Sequence, residues 1–111
     1  MVDWDIDIEN DDWLLGVADL AIRAKYTIGI DSMGPLHRLI YCLWCADYGM
    51  RNAGDLATAA DLYEHFHADA RRAAAELNLP RTMHAFSLPI PELEAKYFDL
   101  FCGICDELRS V

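Results

Sequence analysis

From Val2 to Glu9 the chain alternates strictly between apolar and acidic side chains: Val2, Trp4, Ile6 and Ile8 against Asp3, Asp5, Asp7 and Glu9. In an extended chain successive side chains point to opposite faces, so the alternation predicts a short extended arm over residues 2–9. One face of that arm is made to bury and the other is a row of carboxylates. An isolated extended segment is not stable in water, so the arm requires something to dock on.

After Asp12 the period becomes helical. Trp13, Leu14, Val17, Leu20, Ala21 and Ala24 share one face of a helix over residues 12–26, and Leu15, Ala18 and Ile22 form a second stripe. Two apolar faces imply a helix sandwiched between neighbours or one with a face left for a partner. Gly29, Asp31, Ser32 and Gly34 then punctuate a linker. Pro35 opens a second helix over residues 35–48, apolar almost all round and interrupted only by His37, Arg38 and Asp47. A helix of that kind belongs at the centre of a fold.

Gly49 to Gly54 reads as a loop, followed by one long helix over residues 55–77 with Ala59, Ala60, Tyr63, Phe66, Ala70, Ala74 and Leu77 inward. Its start is set by Asp55 or by Thr58, which with Asp61 resembles a capping box, and its end by Asn78 and Pro80. Residues 79–90 read as an irregular connection with a short turn near Arg81 to Phe86. Pro91 opens the last helix, over residues 91–109, with Leu93, Tyr97, Leu100, Phe101, Ile104, Cys105 and Leu108 buried. The expected fold is a single all-α domain over residues 1–111: a compact, irregular four-helix bundle with a short extended acidic N-terminal arm.

Composition agrees with a folded body, since 54% of residues are hydrophobic. Charge narrows the partners. The net charge is −10, and the first twelve residues hold six acids and no base, leaving thirteen acids against nine bases in the remainder. Such a chain repels phosphate backbones and anionic lipid, so direct binding to nucleic acid or membrane is not expected. It favours a basic protein surface, of the kind that nucleic-acid-binding proteins carry. Acidity serving only solubility is the plainer reading. No apolar run approaches the ~18 residues of a membrane span. Acids stand where a signal peptide has bases, so a cytoplasmic protein with reduced cysteines is expected.

Two CxxC pairs carry the most specific candidate chemistry: Cys42 with Cys45, and Cys102 with Cys105. Both fall inside apolar helical segments rather than on the tight knuckles of zinc ribbons. If the second and last helices pack together, the four sulfurs could meet and hold zinc or another thiolate-bound metal. The plainer expectation is that they pack as small hydrophobes and that no cofactor is needed. A redox role is disfavoured, because neither pair has its first Cys at a helix N-terminus. His65 and His67 are two residues apart and point to different sides of a helix, so they are no chelating pair. No nucleophile elbow, phosphate-binding glycine loop or dinucleotide fingerprint occurs, and no catalytic residue is assigned.

The favoured functional reading is therefore a small acidic, non-enzymatic interaction protein that inhibits a partner by occupying its basic, nucleic-acid-binding surface. The contact residues would be Asp3, Trp4, Asp5, Ile6, Asp7, Glu9, Asp11 and Asp12. In a strand their carboxylates would recur every ~6.7 Å, similar in kind to a phosphodiester row. The chain has the general character of small acidic inhibitor proteins: DNA mimics, anti-defence proteins of the anti-CRISPR kind and toxin-immunity proteins. The alternatives are a thiolate metal-binding bundle and a structural homodimer.

Overall fold

The helix that is apolar almost all round is the axis of the fold. The computed structural model describes the backbone from Trp4 to Val111 and the side chains from Glu9 onward. Helix α1 spans Trp4–Ile28, a 3-10 turn Ile30–Ser32, α2 Pro35–Asn52, α3 Ala57–Leu62, α4 Phe66–Glu76, α5 Pro80–Ser87 and α6 Ile90–Arg109. Among the described residues there is no strand, so the protein is all-α. Helix α2 packs against α1, α3, α4 and α6, and α5 bridges α4 and α6. Leu39, Cys42, Leu43, Cys45 and Ala46 of α2 are completely buried against Leu14 and Ala18 of α1, Phe66 and Ala70 of α4, and Tyr97 and Phe101 of α6.

Residues 4–9 are helical, which overturns the extended arm; Val2 and Asp3 lie outside the described residues. Alternation specifies a strand only where another strand can pair with it. Here Asp5, Asp7 and Glu9 instead occupy the first turns of a helix, where its dipole favours carboxylates. The helix already committed by Leu14, Ala18 and Ala21 extends backward through them. A two-residue period sorts side chains to opposite faces of an extended chain, not of a helix.

Helix α2 runs past Tyr48 to Asn52, taking in Gly49, which the sequence places in a loop. A Cβ at Gly49 would stand 2.6 Å from the Asp55 carbonyl oxygen and 3.0 Å from Ala59 N. The glycine lets the entry to α3 cross α2 closely. The single long helix expected over residues 55–77 breaks at Tyr63, whose backbone is extended (φ −155°, ψ 107°). Its hydroxyl donates to Asp69 Oδ2, and its ring stands 5.8 Å from that of Tyr41. The Thr58 capping box is not formed; Asp55 Oδ1 accepts from Thr58 N at 2.9 Å and Thr58 Oγ1 at 2.8 Å. At the other end, Asn78 at φ 57° closes α4, with Leu79 N donating to Ala74 O at 2.9 Å and Asn78 N to Ala75 O at 3.2 Å.

The connection expected to be irregular contains α5. Helices of six and eight residues are too short to hold themselves together. Each borrows a carboxylate from α6. Glu94 Oε1 accepts from Leu56 N at 2.7 Å at the start of α3. Glu107 accepts from Arg81 N at 2.9 Å and from Thr82 N and Oγ1 at 2.7 and 2.8 Å at the start of α5. These bonds satisfy helix-terminal N–H groups that have no partner within their own helix.

Candidate functional site

Helix α1 presents a face that its own fold does not use. Leu14, Ala18 and Ala21 point inward and are fully buried, flanked by half-buried Trp13, Val17, Ile22 and Ala24. Both expected apolar stripes are thus divided: Ala18 joins the core, while Leu15 is 52% exposed and Leu20 61%. With Glu9, Asp12, Gly16, Asp19 and Arg23, all exposed, they make an outer face that is acidic and apolar at once. Asp19 pairs with Arg23 at 3.1 Å in solvent, a contact worth a fraction of a kcal/mol. Tyr26 and Ile28 extend the exposed apolar surface to the end of the helix.

Gly16 is the odd residue in this face. Among the described residues nothing lies within 4 Å of the Cβ it lacks. A glycine in a helix interior costs about 0.5–1 kcal/mol relative to alanine. At Gly49 close packing explains that cost; at Gly16 no internal neighbour does.

Of the expected contact residues, the side chains of Glu9, Asp11 and Asp12 are described. Glu9 and Asp12 are exposed. Trp4, Asp5, Ile6 and Asp7 occupy the first turns of α1, and Asp3 lies outside the described residues. Asp11 turns inward, where its Oδ1 stands 3.1 Å from Arg51 Nε. Arg51 Nε also donates to both carboxylate oxygens of Asp47 at 3.0 Å, and the buried Tyr97 hydroxyl donates to Asp47 Oδ1 at 2.8 Å. The guanidinium is covered by the rings of Phe98 and Phe101, 5.2 and 5.1 Å away. Burial, together with the Asp11 carboxyl beside it, pushes Asp47 up to about 7 against the opposing pull of Tyr97 and Arg51. Burial alone would lower Arg51; the charges of Asp47 and Asp11 outweigh it and raise it. This cluster holds α1, α2 and α6 together, and the i, i+4 spacing of Asp47 and Arg51 was its only sequence signal.

Beside the cluster, a cavity of about 220 Å³ opens between α1 and α2, lined by Leu15, Trp44, Tyr48, Asn52 and the Asp11–Asp47–Arg51 group. The rings of Trp44 and Tyr48 stand 5.7 Å apart, and Tyr48 is 43% exposed. The outer face of α1 therefore continues into an aromatic recess with carboxylates at its base.

The cysteines do not converge on a metal site. Cys42, Cys45 and Cys105 are buried, Cys102 is exposed, and all four are free. Among the described residues no three His, Cys, Asp or Glu side chains gather so as to hold a metal ion. Burial pushes the Cys45 and Cys105 thiols up to about 12 and Cys42 still further, so these side chains stay neutral in the core. Cys42, Cys45 and Cys105 are core side chains. His65 is exposed; His67 sits at the core edge, its Nε2 2.8 Å from Leu88 O.

No protein-family model matches the chain, and no curated protein or solved structure matches it significantly. Among the described residues no helix is long and apolar enough to cross a membrane.

Proposed function

We propose that this chain is a non-enzymatic interaction protein that binds a basic surface of a partner protein through the outer face of α1 and the adjoining Trp44–Tyr48 recess. One observation carries the reading: Leu15, Gly16 and Leu20 lie exposed among Glu9, Asp12 and Asp19 on a helix face with no internal use. Exposed leucines supply apolar anchors, the carboxylates select a basic counterpart and speed docking, and the glycine admits a close backbone approach. The net charge of −10 supports the same partner chemistry. A second copy of the chain would bring Glu9, Asp12 and Asp19 near like charges, with only Arg23 on this face to offset them. Covering a basic surface that grips nucleic acid would inhibit it, as small acidic inhibitors do. The mode is helix against groove; Asp12 and Asp19, seven residues apart, stand about 10.5 Å apart along the axis, wider than a phosphate row.

The test is a comparison of two baits from the native host: the wild type, and Leu15→Ser with Leu20→Ser. A protein with a lysine- and arginine-rich surface should be retained by the first and lost from the second, and its affinity should fall as salt is raised. Equal capture by both baits, or binding insensitive to salt, sinks the proposal. Sedimentation of the purified protein tests the homodimer separately; concentration-dependent self-association lost in the same variant would establish it instead.

A further inference from the structure

A second cavity, of about 470 Å³, lies on the other side of α2, where α2 meets the break between α3 and α4. Its size is that of a small-molecule site. Arg38 of α2, Tyr63 and His65 of the break, and Asp69 and Arg72 of α4 line it, with exposed Asp31 at its rim.

The charges in this cavity are unevenly matched. Asp69 is already engaged, accepting from the Tyr63 hydroxyl and pairing with Arg72 at 3.3 Å. Arg38 forms no salt bridge among the described residues. Its Nη2 donates to Met33 O at 2.9 Å, and its Nε is buried with no partner among the described residues. A half-buried guanidinium without a carboxylate is costly in a protein that carries nineteen acids. The first turn of α4 lines the same cavity through His65 and Ala68, and His65 provides no side-chain cap for it. The chain interruption at Tyr63 to His65 is what brings these groups together; a continuous helix over residues 55–77 would not place them so.

We infer that this cavity binds a small ligand through an oxyanion head group, carboxylate or phosphate, held by the Arg38 and Arg72 guanidiniums. Arg38 supplies the uncompensated charge and Arg72, oriented by Asp69, a second donor fork. Tyr63 and His65 flank the ligand's body with ring surfaces. Asp31 opposes binding and limits it to ligands whose head group sits on the arginine side. This inference is independent of the proposed partner-binding face, since the two sites share no residue.

Phenyl phosphate and benzoate, which present the two head groups on one ring, are titrated into the intact protein at constant ionic strength against chloride. Binding is read by calorimetry and by NMR shifts of the Tyr63, His65 and Ala68 amides. At least one of the two should bind and move those amides, and the preferred one names the head group. Arg38→Gln should weaken it about tenfold and Arg72→Gln about threefold, whereas Asp31→Asn should tighten it about threefold. Arg72 and Asp31 are exposed, so their variants keep the test decisive if Arg38→Gln fails to fold. No binding beyond chloride overturns the inference. So does binding that ignores Arg72→Gln and Asp31→Asn, or shifts confined to other parts of the chain.

Discussion

Arg38 and Arg51 stand 13 residues apart on α2, about 20 Å along its axis, and their surroundings are opposites. Arg51 is compensated twice over, by Asp47 at 3.0 Å and Asp11 at 3.1 Å, and is roofed by two phenyl rings. Arg38 has one backbone carbonyl and an open cavity. Beside Arg51, Gly49 also lets the chain entering α3 pass close to α2. The C-terminal half of α2 joins three helices through charge and contact. Its N-terminal half leaves a cation available. The same side chain thus serves cohesion at one end of the helix and, on the proposed reading, recognition at the other.

Replacing each arginine is the strongest way to break this comparison. Arg51→Met leaves Asp47 and Asp11 without their counter-charge and should destabilise the fold by about 3 kcal/mol. Arg38→Gln removes a cation that no carboxylate balances and should cost under about 1 kcal/mol. Equal losses in urea denaturation would show that the two ends of α2 do not differ as described.

Gly49→Ala should come next, at about 2 kcal/mol, because its Cβ would meet backbone 2.6 Å away rather than a flexible side chain. The same measurement applies. A neutral result would mean that the chain between α2 and α3 yields easily, and that the tight end of α2 is looser than its contacts imply.

A pH series sharpens the comparison further. Burial raises the Asp47 carboxyl from its ordinary 3.8 to about 7 in the fold. Between those values the folded protein holds the extra proton. The stability from this group is therefore fully present below about 4 and lost as pH rises through about 7. The melting temperature should fall by about 10 °C from pH 5 to pH 8, and Asp47→Asn should flatten that slope. A wild-type slope of opposite sign in this window would show that Arg51 and Tyr97 outweigh burial at Asp47.

The smallest effect should have the reverse sign. Gly16→Ala, on the face where nothing packs, should stabilise the protein by about 0.5–1 kcal/mol. If the proposed docking is right, the same change should weaken partner binding. Stabilisation with unchanged binding would leave the glycine without a role in recognition.

Local pattern determined a good deal. The helical period of Leu93, Tyr97, Phe101, Ile104 and Leu108 places the core face of α6 correctly, and the apolar girth of α2 marks the centre of the fold. Pro35 and Asn78 mark a start and a stop where the structure has them, since their backbone preferences act within a few residues. The acidic balance of the chain, which carries the proposed partner chemistry, is likewise a property of sequence alone.

Tertiary structure decided the rest, because the deciding partners are remote in the chain. The caps on α3 and α5 come from Glu94, 38 residues from the N–H group it satisfies, and Glu107, 25 and 26 residues from its two. Alternation over residues 2–9 suits a strand, but a strand needs a neighbour; residues 4–9 continue the helix that Leu14 and Ala18 anchor instead. Asp11 reads in sequence as one more surface acid, and only the approach of α1 to α2 makes it the partner of Arg51. Which arginine is compensated, and which of α1's apolar side chains stay exposed, depends on distances between helices. Sequence states what each residue prefers; packing settles which preferences can be met together.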